Sequence, residues 1–205
     1  MCGRYVITSP VSKTNKLVKS AIQVEDKENY NAHPYQKLPV IKKYKNGNTL
    51  ENLQWGLVPS WAKDKDFKAL INARLETIDE KVSFKKLIKD FRCVVVADGF
   101  YEWKREEKEK IPHYFIREDK KTIFFAGIYE NDQFSLITEE ASKNISEIHH
   151  RQPVILNQTD INRYLNLELS GSSFSRTGNR LFSIAALSIQ FQKSDLGSCA
   201  FAFTG

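Results

Sequence analysis

Between Cys93 and Thr138 the chain places five apolar segments, Cys93–Ala97, Phe100–Lys104, His113–Arg117, Thr122–Tyr129 and Phe134–Thr138, most of them separated by short polar turns. Strands joined this tightly run antiparallel, because a parallel return needs a crossover of about a dozen residues or more. The middle of the chain is therefore held to a meander or a barrel. Around it, Ser9-Pro10 reads as a helix start leading to about Ile22. Ser83 would cap a second helix in which Phe84, Leu87, Ile88 and Phe91 recur on one face. Glu139–Ile148 and Thr159–Leu167 read as short helices on either side of a strand at Val154–Leu156. With no repeat or Pro/Gly/Ser-rich linker dividing it, the expectation is one α+β domain over residues 1–205, with a curved, mainly antiparallel core.

A chain of 205 residues with 41% hydrophobic side chains can bury a substantial core. No apolar run reaches the length of a membrane helix, and the N-terminus lacks the charged-then-apolar layout of a secretory leader. The expected setting is the cytoplasm, or the nucleus in a eukaryote. Cys2, Cys93 and Cys199 have no paired metal-ligand spacing and make no disulfide framework, so neither a metal nor another cofactor is expected. Cys93, inside Cys93-Val94-Val95-Val96-Ala97, reads as core.

The net charge of +6 suits a polyanion such as nucleic acid, although lysines are often simply solvated. Residues 104–110 mix both signs and read as an exposed hairpin tip. Arg4, Arg74 and Arg151 sit beside apolar or small residues, where a scaffold can hold a guanidinium against phosphate oxygens.

Four segments carry reactive groups among apolar or aromatic neighbours. In Cys2-Gly3-Arg4-Tyr5, loss of Met1 would leave a 1,2-aminothiol. Its amine, with a pKa of about 7.7–8.0, is partly neutral at physiological pH. It can form an imine with an aldehyde, on which the sulfur closes to a thiazolidine. The same residue also fits an N-terminal nucleophile that hydrolyses amides, and a second-position cysteine can equally be a bystander. Ile71-Asn72-Ala73-Arg74 sets an amide and an arginine on one side of an extended segment. Asn72 is suited to orient an aldehyde, a sugar hydroxyl or the Cys2 amine, or to make an ordinary turn bond. Ala97-Asp98-Gly99-Phe100-Tyr101-Glu102-Trp103 puts Glu102 between two rings. Desolvation there would raise its pKa toward neutrality, but alternation also allows a solvent-facing carboxylate with both rings opposite. Ile148-His149-His150-Arg151-Gln152-Pro153 offers His149 as a second proton carrier or as a helix cap. Trp55 and Trp61 flank Gly56 and Pro59 in a segment that could stack on bases or pack into the core.

These four segments, with Tyr30-Asn31-Ala32-His33-Pro34, Phe125–Glu130 and Phe134–Thr138, resemble the SOS response-associated peptidase (SRAP) family from Cys2 to about Leu156. The resemblance implies a barrel-like pair of sheets with flanking helices, in a monomer. It also implies covalent capture of abasic sites in single-stranded DNA, with the replication machinery as a candidate partner. Cys2 would form the thiazolidine with the lesion sugar. Glu102 would assist proton transfer, His149 the Schiff-base chemistry and reversal, and Asn72 would hold sugar and nucleophile. Arg4 and Arg74 match phosphate-binding arginines; Trp55, Trp61 and Pro34 lie in segments lining the family's DNA surface. Departures are His33 where the family usually has Ala, Gln152 where it has Met, and an apolar segment at 183–203 without the family's Arg-Asn loop.

Overall fold

The structure, a computed structural model, describes residues 2–45, 47–64, 66–107, 109–169 and the strand Ile184–Ser188; Cys199 and the remainder of 183–203 lie outside the described residues. The expected strands of the middle segment are present as β7 (Arg92–Ala97), β8 (Gly99–Glu106), β9 (Glu109–Arg117), β10 (Ile123–Glu130) and β11 (Gln133–Glu140). Ahead of them lie β1 (Arg4–Ile7), β2 (Ser20–Ile22), β3 (Asn29–Ala32), β4 (Lys37–Tyr44), β5 (Gly47–Trp55) and β6 (Asn72–Arg74). After them come β12 (Arg151–Pro153), β13 (Ile155–Leu156) and β14 (Ile184–Ser188).

One sheet runs β14-β9-β8-β1-β3. The other closes on itself: β7 pairs with β10, β10 with β11, β11 in parallel with β5, β5 with β4, and β4 with β7. Closure removes the open edges that would otherwise pair with other chains. Every residue of β7 is buried, because it is covered on both faces, and this explains its continuous apolar run. The sheets share one core, in which Tyr5 lies 5.4 Å from Trp55 and Trp55 stacks on Phe134 at 6.2 Å.

The helices are shorter than the periodicity predicts. Helix α1 spans only Pro10–Thr14. Ser9, at φ 47°, makes no side-chain cap; Asp26 instead accepts from the Val11 and Ser12 amides and the Ser12 hydroxyl. Beyond Thr14, Leu17 and Val18 pack against the core from a turn rather than a helix, and Ser20–Ile22 finds its backbone partners along β5. Helix α2 covers Leu87–Asp90, although Phe84, Leu87 and Ile88 form the expected buried face. The helix expected from Glu139 begins later, as α3 (Lys143–Ser146), because Glu139 and Glu140 pair with β12. Helix α4 (Ile161–Leu165) follows a 3-10 turn at Gln158–Asp160. Among the described residues no helix is long and apolar enough to cross a membrane.

Trp55 is fully buried, and its indole N–H donates to the Ile71 carbonyl at 2.9 Å. Trp55→Ala should cost about 3–5 kcal/mol, read as a lower urea midpoint at unchanged slope. A midpoint within experimental error of wild type would remove Trp55 from the core account.

Candidate active site

The site is assembled by strand register. β1 runs antiparallel to β8 with Arg4 opposite Tyr101, so the segment ahead of Arg4 continues toward Glu102. Cys2 is fully buried there. From β6, which lies parallel to β11, Asn72 donates its side-chain amide to the Cys2 carbonyl at 3.0 Å. The Asn72 Oδ1 is buried with no hydrogen-bond partner among the described residues. It is an acceptor suited to an incoming amine or hydroxyl.

Of the two orientations open to Glu102, the inward one is observed. Tyr101 turns to the other face and packs on Tyr114 with ring centroids 4.7 Å apart, leaving Glu102 only 2% exposed. Burial pushes its carboxyl up to about 7, against the pull of the positively charged amino terminus. Burial first, and then the Glu102 charge, push the Cys2 thiol far up, so the thiol is protonated at neutral pH.

His149 lies in the loop after α3, with Nδ1 3.9 Å from Glu102 Oε1. The Arg151 amide donates to that Nδ1 at 3.0 Å, which fits a neutral ring; the Arg151 carbonyl at 3.1 Å would receive the proton of the charged form. Burial, with nearby positive charge adding to it, holds His149 below its usual range. A neutral histidine and a carboxyl that titrates near neutrality therefore meet beside the thiol. His150 stacks on His149 at 4.5 Å.

The remaining candidates divide. Arg4 is half-buried and donates to Asn31 Oδ1 at 2.7 Å. Arg74 is exposed two residues beyond Asn72 on β6, as the alternation predicts. Trp61 is 52% exposed, with its ring edge-on to Phe67, whereas the burial of Trp55 denies its indole to a base. Pro34 is half-buried in a turn where its carbonyl bonds His33 Nδ1 at 2.8 Å. Arg151 is corrected from phosphate ligand to internal clamp. Its guanidinium holds both oxygens of Glu76, at 2.7 and 2.9 Å, and the Thr138 carbonyl. Beside Pro34, Tyr35 is 65% exposed at φ 72°.

Gln152, where the resemblance leads one to expect Met, ties the base of the His149 loop. It accepts from the Ser142 amide at 2.8 Å and donates to Glu139 at 3.0 Å. Gln152→Leu would remove the acceptor of the half-buried Ser142 amide and one donor to the buried Glu139, and should cost about 1–3 kcal/mol. Unchanged thermal stability would contradict this reading.

A curved, closed sheet thus gathers the buried Cys2, Asn72 from β6, Glu102 from β8 and His149 from the loop after α3 into one site. The chain belongs to the SOS response associated peptidase (SRAP) family, whose model matches residues 1–192. It is 36% identical over 180 residues to the abasic site processing protein YoqW of Bacillus subtilis, covering 81% of this chain and 80% of that one. It is 30% identical over 189 residues to the abasic site processing protein YedK of Escherichia coli, covering 85% and 84%. The crystal structure of a protein from Bacteroides thetaiotaomicron has the same fold, with a TM-score of 0.80 at 24% identity over 97% of this chain and 95% of that one.

Proposed function

We propose that this chain, as one domain, captures abasic sites in single-stranded DNA through Cys2 once Met1 is removed. The observation that carries this reading is the convergence of Asn72, Glu102 and His149 on Cys2; the names of its relatives as abasic site processing proteins support it.

The chemistry balances with the loss of one water. The Cys2 amine adds to the aldehyde carbon of the open-chain sugar. Protonated Glu102 then gives its proton to the departing hydroxyl and takes one back from the nitrogen, forming the imine. The neutral thiol adds to the imine carbon, and its proton passes by way of Glu102 or His149 to the nitrogen. Asn72 orients the Cys2 backbone and accepts from the amine or a sugar hydroxyl. Arg4 and Arg74 bind flanking phosphates, and Trp61 and Pro34 border the strand. The setting is wherever the chain meets DNA, the nucleoid of a bacterium or the nucleus of a eukaryote.

A peptidase or amidohydrolase would need the Cys2 thiolate as nucleophile, and burial disfavours that form. Aldehyde capture starts instead from the amine. Incubation of the mature protein with an oligonucleotide containing one abasic site should give a band that survives denaturation, absent with the intact oligonucleotide. Glutamine or peptide hydrolysis without such a band would favour the alternative.

A further inference from the structure

We infer that a second site, at the far end of the barrel from Cys2, binds phosphate groups. It is a cavity of about 360 Å³ bounded by Lys16–Lys19, Lys43, Gly47, Asn48, Asn162 of α4 and Asn166 just after it. The registers set its place. Lys42 lies opposite Cys93, so the cavity is at the Arg92 end of β7. His149 precedes the β12 residues that pair with Thr138–Glu140, toward the Ala97 end.

The cavity is built for an anion. Lys16, Lys19 and Lys43 border it, and among the described residues no aspartate or glutamate does. Lys42 and Lys13 are matched to carboxylates, Glu51 and Asp98, whereas Lys16, Lys19 and Lys43 have no such partner among the described residues. Their charges therefore add in a concave space, which concentrates a positive potential.

The surroundings hold Lys19 and Lys43 in place. The Asn48 amide, 8% exposed, donates to the Leu17 carbonyl at 3.0 Å and to Asn162 Oδ1 at 2.8 Å. That ties the turn after α1, the β4-β5 hairpin and α4 together. Lys43 Nζ donates to Asn166 Oδ1 at 2.7 Å, which aims the ammonium while leaving it further protons to give; Asn166 in turn donates to Glu168. The Lys19 stem lies flat over Gly47, where a Cβ would stand 2.6 Å from Lys19 Cδ, and the Lys19 amide bonds the Asn48 carbonyl at 2.8 Å. Ammonium groups are point-charge donors suited to phosphate oxygens.

The phosphate can come from a free anion or from the DNA backbone beyond the lesion; the second source rests on the proposed function. Two arms separate them. In the first, inorganic phosphate is titrated into the wild-type protein and into Lys16→Gln/Lys19→Gln/Lys43→Gln while amide resonances are followed. The Lys19, Gly47 and Asn48 resonances should shift in wild type and stay put in the variant. In the second, affinity for abasic single-stranded DNA is compared on oligonucleotides of about five and about twenty-five nucleotides. The variant should bind the long one tenfold or more weakly and the short one as wild type does, its salt slope falling by about 0.7 for each phosphate no longer neutralised. Shifts without the length effect assign the site to free phosphate. Neither shifts nor a length effect, in a variant that melts like wild type, overturns the inference. Absence of crosslinking by wild type on both oligonucleotides would instead defeat the proposed function and leave the phosphate arm standing.

Discussion

Cys2→Ala, purified without Met1, is expected to give no denaturation-resistant complex with abasic single-stranded DNA, a loss of at least a hundredfold against wild type. The terminal amine survives this substitution, so an imine still forms and borohydride should trap it. What is lost is the sulfur that closes the ring, leaving the product open to hydrolysis. The fold should tolerate the change, because the Cys2 thiol makes only a long 3.9 Å hydrogen bond to the Arg4 carbonyl. DNA affinity should therefore stay near wild type. A stable complex at wild-type yield would show that another nucleophile, such as a lysine, carries the reaction.

The second large effect belongs to Glu102. General acid–base groups contribute about 10²–10⁴ in rate, so Glu102→Gln should slow crosslinking by that factor with little change in DNA affinity. Because the amine must be neutral while the carboxyl is protonated, the wild-type rate of imine formation should pass through a maximum between about 7 and 8 and fall at higher pH, where the carboxyl has lost its proton. The amide variant should lack this limb. Stability gives an independent check. The folded carboxyl binds its proton more tightly than the unfolded one, so its contribution to stability is present below the ordinary glutamate value and is lost as pH rises through about 7. Above that pH, Glu102→Gln should be at least as stable as wild type. Equal rates and identical pH profiles for the two proteins would take Glu102 out of the chemistry.

The middle strands were legible because β7 to β11 combine apolar runs with short turns, a local signal. The N-terminal strands were not. β2 is wholly exposed, and β4 carries Pro39 and several lysines, so their strand character comes from pairing with β5 rather than from their own patterns. The span from Pro10 to Ile22 misled in the same way, since its residues allow a helix, whereas the chain leaves the helix after Thr14 and packs Leu17 and Val18 on the core from a turn. Glu102 was ambiguous because alternation decides the face but not which face is inside, and β8 is covered on both sides at Tyr101 and Glu102. Trp55 and Trp61 share their neighbourhood in sequence, yet one ends a strand within the barrel and the other follows a turn at the surface. Arg151 looked available because its partner Glu76 lies 75 residues away. The reactive residues themselves could be named from their chemistry and from the family resemblance. Their proximity, from Cys2 to Asn72 and from Glu102 to His149, is a property of the register of β1, β6 and β8.

The most direct measurement is intact mass spectrometry of the product formed with abasic single-stranded DNA, followed by digestion to locate the adduct. The account predicts the mass of the protein without Met1 plus the DNA less one water, with the modification on the peptide that begins at Cys2. An adduct on any other residue, or none at all from protein whose Cys2 amine is free, would contradict it.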